Sequence, residues 1–390
     1  MTIRHTPATN TLNAAVLTAL LALVSGPLGG AQAAAVRADP GSTPAVRHVF
    51  LILLENQSFG VTFGKNSPAP YLAQTLAAQG ALLSHYYGIG HASLDNYIAL
   101  ISGQAPNEQT QLDCPIVSEF RLSQPGLDAH GQALGVGCVY PTLVKTLPDQ
   151  LEAAGLTWKG YMEDMGKDPR RERATCGHAP VGAPEKTQLA TLSDKYAARH
   201  DPFVYFHSII DDQARCDAHV VNLDALTKDL HSSATTANYS FITPNLCHDG
   251  HDPDCIDGTP GGLEAVNLFL QKWVPLITQS AAYTQDGLLI ITFDESDGSG
   301  PDGSSACCGE RPLPGAKHLP GFRGPGGGRI GAVLLSRFIK PGTVSSVPYN
   351  HYSLLRTVED LFGLEHLGYA AEPDLQTFGA DVFAPGHPAQ

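Results

Sequence analysis

The 390-residue sequence lacks the common signatures of hydrolases and nucleotide-binding proteins. There is no G-x-S-x-G elbow, which argues against an α/β-hydrolase triad. Neither G-x-x-x-x-G-K-[ST] nor H-E-x-x-H occurs, which argues against P-loop nucleotide binding and zincin chemistry. No C-x-x-C pair suggests a zinc site. Positive charge is scarce: 24 Lys and Arg stand against 38 Asp and Glu, a formal net charge of -14. The basic footprint of a nucleic-acid binder is therefore missing, and no nucleic-acid partner is expected. Beyond the first forty positions no apolar run approaches the ~20 residues that span a bilayer, so no stable membrane insertion is expected either. Nothing in the sequence fixes the oligomeric state.

What is present begins with an export signal. Arg4 precedes an apolar stretch from Ala14 to Val24, and small residues follow at Ala31 and Ala33. That is the order of a secretory signal, with cleavage after Ala33. The expected organisation is a signal peptide over 1–33, a linker over 34–46 and one domain over 47–385, secreted or periplasmic. The 8 Cys are an even number in an exported chain and favour disulfides. Spacing does not fix their connectivity. Cys247–Cys255 is the most local pairing, Cys114–Cys138 and Cys176–Cys216 are reasonable, and Cys307–Cys308 requires a strained vicinal bridge.

Six apolar runs read as buried strands: "HVFLILL" (48–54), "TWKGYM" (157–162), "PFVYFHSI" (202–209), "YSFITP" (239–244), "GLLIITF" (287–293) and "IGAVLLS" (330–336). Helical patterns lie between them, at 71–80, 94–103, 146–155, 223–233, 262–277 and 351–363. Strands apolar on both faces, alternating with amphipathic helices, predict an α/β fold with a mostly parallel central sheet and helices on both faces. Residues 298–328, rich in Gly, Pro and Ser, form a long loop.

Ligands of such sheets bind at the carboxyl ends of the strands. Glu55 and Asn56 follow the first strand. Asn245, His248, Asp249, His251 and Asp252 follow "YSFITP", and Asp294, Glu295 and Asp297 follow "GLLIITF". Glu55, Asp294 and Glu295 are hard oxygen ligands with no Lys or Arg beside them in sequence, a set that needs a cation. "CHDGHDPDC" (247–255) reads three ways: a disulfide-closed surface loop, a calcium loop, or an imidazole pair facing the cleft. The third places His248 and Asp249 at the ligand, with His251 and Asp252 in support. Ser93 opens the pattern "LDNYIALISG" and suits a helix N-cap. A helix start also presents N–H groups to an anion, which makes Ser93 a candidate nucleophile towards phosphorus.

"HVFLILLENQSF", "GHASLDNYIALISG", "FITPNLCHDGHD", "LLIITFDESDG" and "YNHYSLLRTVEDLFGL" together resemble the secreted phosphoesterase family. That family holds bacterial acid phosphatases and phospholipases C and belongs to the alkaline-phosphatase superfamily. The motifs fall in the family's order between 48 and 370, and the compact length is more similar to its short acid phosphatases. The resemblance implies an alkaline-phosphatase-like fold and hydrolysis of phosphomonoesters through a phosphoserine at Ser93. It also implies a divalent metal ion of unspecified identity held by Glu55, Ser93, Asp294 and Glu295. Asn56 becomes a phosphate or metal contact, Asn96 and Asp249 are expected at the phosphate, and His91, His248 and His351 become phosphate-binding or proton-transferring groups. Substrates would be small phosphorylated molecules or the headgroups of phosphoinositides and phospholipids. Cleavage of phospholipid diesters, and a non-catalytic secreted binding protein on the same fold, are the alternatives. One departure from the family is Asp95, where relatives carry Pro; it predicts an extra negative charge near the phosphate.

Overall fold

Strand β1, His48–Leu54, is buried at every position. Successive strand side chains point to opposite faces, so both faces of the sheet are covered here. The computed structural model describes Thr2 and residues 44–384. The signal expected over 1–33 and most of the linker over 34–46 lie outside the described residues, as does the end of the expected domain at 385.

Seven further strands join β1: β2 (Ala81–Leu83), β3 (Trp158–Met162), β4 (Val220–Asn222), β5 (Tyr239–Thr243), β6 (Gly287–Phe293), β7 (Ala332–Ser336) and β8 (Thr343–Ser345). Their order across the sheet is β8-β2-β7-β6-β1-β5-β3-β4. Pairing is parallel except at β7, which runs antiparallel to both β6 and β2. The helices that matter below are α1 (Ser93–Ser102), α2 (Gly262–Thr278) and α3 (His351–Phe362).

The predicted mostly parallel α/β sheet is thus present, with two kinds of difference. "PFVYFHSI" is not a strand: Pro202–Tyr205 is a 3-10 turn and His207–Ile210 a short helix. Asp201 accepts the Phe203 N–H and Pro202 sits at the first helical position, so capping chemistry overrides the apolar run. Periodicity alone cannot separate a buried strand from a buried helix. Strands β2, β4 and β8, three residues each, are too short to leave a readable pattern. The eight cysteines form four disulfides: Cys114–Cys138, Cys176–Cys216, Cys247–Cys255 and the vicinal Cys307–Cys308. Residues 298–328 contain no helix or strand.

Register builds the site. Leu54 pairs with Phe293, so Glu55 and Asp294 leave the sheet side by side. The Asp294 N–H donates to Leu54 O at 2.8 Å, and the Glu55 N–H donates to Asp249 O at 2.8 Å. Three strand ends, from β1, β5 and β6, therefore converge on one edge.

Candidate active site

Ser93 is the first residue of α1, not its cap. The cap position is Ala92, which has no side-chain acceptor to offer, and the Leu94 N–H is taken by Asp113 Oδ1 at 2.9 Å. The Ser93 hydroxyl is left free for another partner and donates to Glu55 Oε2 at 2.7 Å. Tyr97, one helical turn on, donates its hydroxyl to Glu55 Oε1 at 2.5 Å. Residues four apart share a helix face, so α1 grips both oxygens of one carboxylate. Glu55 is fully buried. Burial would raise its pKa, but the adjacent His200 and the hydrogen bonds from Tyr97 and Ser93 outweigh it and hold Glu55 down at about 2. His200 Nε2 lies 3.3 Å from Glu55 Oε2, and its ring stacks on Tyr97.

Asn56 takes a left-handed backbone, φ 50°, which turns its N–H onto Asp294 Oδ1 at 3.0 Å. One terminal atom of its carboxamide lies 2.9 and 3.3 Å from the two Asp294 carboxylate oxygens and 3.2 Å from Glu55 Oε2. The other faces His251 Nε2 at 3.3 Å. Burial, then repulsion from Glu55 and Glu295, pushes the Asp294 carboxyl well above the ordinary range. Glu295, raised by burial to about 7, points elsewhere. Its Oε2 is 3.3 Å from His91 Nδ1 and 3.4 Å from Asn96 Nδ2. The structure therefore groups Glu55, Asn56, Ser93 and Asp294, while Glu295 Oε2 turns to His91 and Asn96.

Asn96, expected at the phosphate, braces the turn before α1. Its Oδ1 accepts the Ile89 and Gly90 N–H groups, and its Nδ2 donates to Gly90 O and Ala92 O. That turn leads into Ser93, so Asn96 braces Ser93 from behind. Asp95 is buried with neither carboxylate oxygen hydrogen-bonded. Burial, with Glu295 and Asp113 nearby, pushes its pKa well above the carboxylate range. Burial therefore favours the neutral acid and works against the extra negative charge expected at this position.

The imidazoles divide differently from expectation. His91 stays at the site: Nδ1 faces Glu295 and Nε2 meets Gly303 O at 2.5 Å, which ties the long loop to the turn before Ser93. Burial would lower its pKa, but the Glu295 contact raises it. His351 is fully buried, with Nδ1 3.0 Å from the Tyr86 hydroxyl and Nε2 on Asp294 O. Burial holds it neutral, at about 4. Its two ring nitrogens are thus both occupied, one of them on the Asp294 backbone. His248 turns away altogether. The His248 and Asp249 N–H groups both donate back to Asn245, a single helical turn, so the two side chains diverge. Asp249 points inwards, with Oδ1 on the His251 N–H and Oδ2 3.8 Å from His200 Nδ1; it backs His200. The His248 ring pairs with Glu163 at 2.9 Å and packs on Phe269. The exposed His251, expected only in support, is the imidazole that reaches Asn56.

Sequence reasoning missed His200 and Tyr97. Tyr97 was legible as the fourth residue after Ser93 on one helix face. His200 was hidden by reading the segment after it as a strand, although Asp201-Pro202 is itself a helix-start signal.

A family model described as the Phosphoesterase family matches residues 66–365, which include Ser93, His200, His251 and Asp294 but not Glu55 or Asn56. The chain is 25% identical over 327 residues to a phosphatidylinositol-3-phosphatase of Mycobacterium tuberculosis, covering 84% of this chain and 80% of that protein. It is 23% identical over 330 residues to a probable acid phosphatase of Kluyveromyces lactis, covering 83% of this chain and 60% of that protein. It thus spans under two thirds of the length of that relative. Among solved structures, a protein in the alkaline phosphatase superfamily from Vibrio parahaemolyticus is similar at 14% identity and a TM-score of 0.48, over 87% of this chain and 75% of that one.

Proposed function

The chain belongs to the Phosphoesterase family, and from that premise we propose that it is an exported hydrolase of phosphoric monoesters that works through a phosphoserine at Ser93. The observation that carries this reading is the 2.7 Å hydrogen bond from Ser93 Oγ to the buried, ionised Glu55, made at the first residue of a helix. A hydroxyl held in that way has a lone pair aimed outwards, at the positive end of the helix dipole. The relatives named acid phosphatase and phosphatidylinositol-3-phosphatase support the phosphoester substrate class. Four disulfides support an oxidising compartment. Among the described residues no helix is long and apolar enough to cross a membrane.

The donor set fits a divalent cation. One Asn56 amide atom stands 2.9–3.3 Å from the Asp294 oxygens and 3.2 Å from Glu55 Oε2; as nitrogen it donates to both carboxylates, and turned to oxygen it completes a set of three acceptor groups suited to a positive ion. Glu55, Asn56 and Asp294 would hold it, with Ser93 beside them. When bound, such an ion supplies a Lewis acid that favours the serine alkoxide and balances the buried carboxylates.

The residues of the chain do the rest. Glu55 orients Ser93 Oγ, whose proton passes to water as the Oγ–phosphorus bond forms and the bond from phosphorus to the leaving oxygen breaks. The solvent-facing His251 protonates the departing alcohol, and His91, held by Glu295 and Gly303 O, fixes the turn before Ser93. Water then cleaves the phosphoserine, releases inorganic phosphate and restores the hydroxyl. Ser93→Ala should fold normally and lose at least about 10³-fold in kcat on p-nitrophenyl phosphate. A structural serine would cost about 1 kcal/mol of stability and leave turnover intact. Exhaustive chelation of the wild type should abolish turnover, and one divalent ion should restore it. Full activity in protein shown metal-free by elemental analysis contradicts the cation.

A further inference from the structure

Outside the active site, one cavity of about 380 Å³ joins charge and apolar surface in a way the proposed reaction does not use. Its wall includes Leu268, Phe269, Lys272 and Trp273 of α2, and opposite them Glu163, just after β3, and His248. Leu268 is 61% exposed, an unusual place for a leucine on a helix whose other face is buried in the core.

The charges leave a positive excess. The Glu163 carboxylate is occupied twice, by the Asn245 N–H at 3.0 Å and by His248 Nδ1 at 2.9 Å. That hydrogen bond raises the His248 pKa and favours the imidazolium beside the carboxylate. His248 Nε2 remains without a partner, on a side chain 43% exposed. Lys272 has no carboxylate partner among the described residues, and its Nζ sits 4.6 Å from the centroid of the Trp273 ring. On a chain of net charge -14, an ammonium folded over an indole beside an exposed leucine is an uncommon feature.

We propose that this cavity binds a small organic anion with an apolar body, its anionic head meeting Lys272 Nζ and His248 Nε2 and its body lying on Leu268, Phe269 and Trp273. An inorganic anion would leave the apolar wall wet, and an uncharged apolar ligand would leave Lys272 unmatched. Charge-assisted hydrogen bonds and burial of the exposed leucine act together on a ligand that has both parts. The size suits such a molecule, since ligand cavities begin at about 300 Å³. The site goes beyond the proposed hydrolysis and does not depend on it.

Calorimetric titration with 4-phenylbutyrate, which has no phosphoryl group, tests this on the full-length protein. Binding to one site with Kd on the order of 0.1–1 mM is expected. Lys272→Ala and Leu268→Asp, both at exposed positions, should each weaken it at least about tenfold while kcat on p-nitrophenyl phosphate stays within about twofold. Saturating inorganic phosphate should leave the binding unchanged. No saturable heat up to about 10 mM overturns the proposal. So does an unchanged Kd in either variant, or displacement by phosphate, which would place the probe at Ser93. A concentration-dependent dimer of the wild type that Leu268→Asp dissolves overturns it as well, because a second copy would then occupy the cavity.

Discussion

Two histidines three residues apart, His248 and His251, show how finely side-chain direction divides the site. The turn from Asn245 sends His248 out to Glu163 and lets His251 reach back to Asn56. His251→Ala should therefore lower kcat by roughly 10²–10⁴-fold on an alkyl phosphate, and less on p-nitrophenyl phosphate, whose leaving group needs no proton. His248→Ala should leave both within about twofold. Steady-state kinetics of the two variants on the two substrates check this, and a larger loss in His248→Ala than in His251→Ala would reverse the assignment. The residue types at this strand end were legible from sequence because carboxylates, amides and imidazoles followed "YSFITP" directly. Which of them faced inwards was not, because the single helical turn from Asn245 sets the direction of each side chain. The same limit applies to Glu295 and Asn96. Both sit where the motifs place them, but their hydrogen bonds go to His91 and to the turn before Ser93.

At the scale of elements, the long strands were read nearly to the residue, because seven consecutive buried positions leave a continuous apolar run in β1 and β6. Short β2, β4 and β8 were invisible for the opposite reason, since pairing at or next to the edges of the sheet defines them and three residues carry no pattern. The segment after His200 was misread because an Asp-Pro cap decided its geometry against its composition. The turn bearing Asp249 and His251 is an element held by a staple, Cys247–Cys255. The small loop it closes contributes only modestly to global stability. A Cys247→Ala/Cys255→Ala double variant should keep a cooperative thermal transition yet lose about tenfold or more in kcat/KM, because Asp249 and His251 lose their fixed relation to Glu55 and Asn56. Differential scanning calorimetry with kinetics on the same sample checks it. Unchanged kinetics would show that the main-chain bond from Glu55 N–H to Asp249 O is enough to hold the turn.

For the whole molecule, the buried acids set a pH dependence. Burial raises Glu359 to about 9, with one oxygen on the Leu367 N–H and the other unpartnered. Burial and the nearby Asp194 raise Glu172 to about 8, and burial raises Asp201 to about 7. The folded state keeps these protons at pH values where the unfolded chain has released them, so their stabilisation is complete below about pH 4 and falls as pH rises towards 9. Glu55 acts oppositely, holding its charge down to about 2, and its contribution is lost only below the ordinary carboxylate range. The melting temperature should therefore decline between pH 5 and pH 9, and Glu359→Gln should flatten the alkaline part of that decline. A profile that rises with pH over this range, or one indifferent to Glu359→Gln, would contradict the assignment.

The central claim is that Ser93 accepts the phosphoryl group. Wild-type protein mixed with p-nitrophenyl phosphate, quenched in acid within the first turnovers and digested, should yield the peptide containing Ser93 with one added phosphoryl group. Fragment ions should place that group on Ser93, and Ser93→Ala should show none. Steady hydrolysis with no phosphorylated peptide at any quench time, or with the phosphoryl group on a histidine instead, would contradict the account.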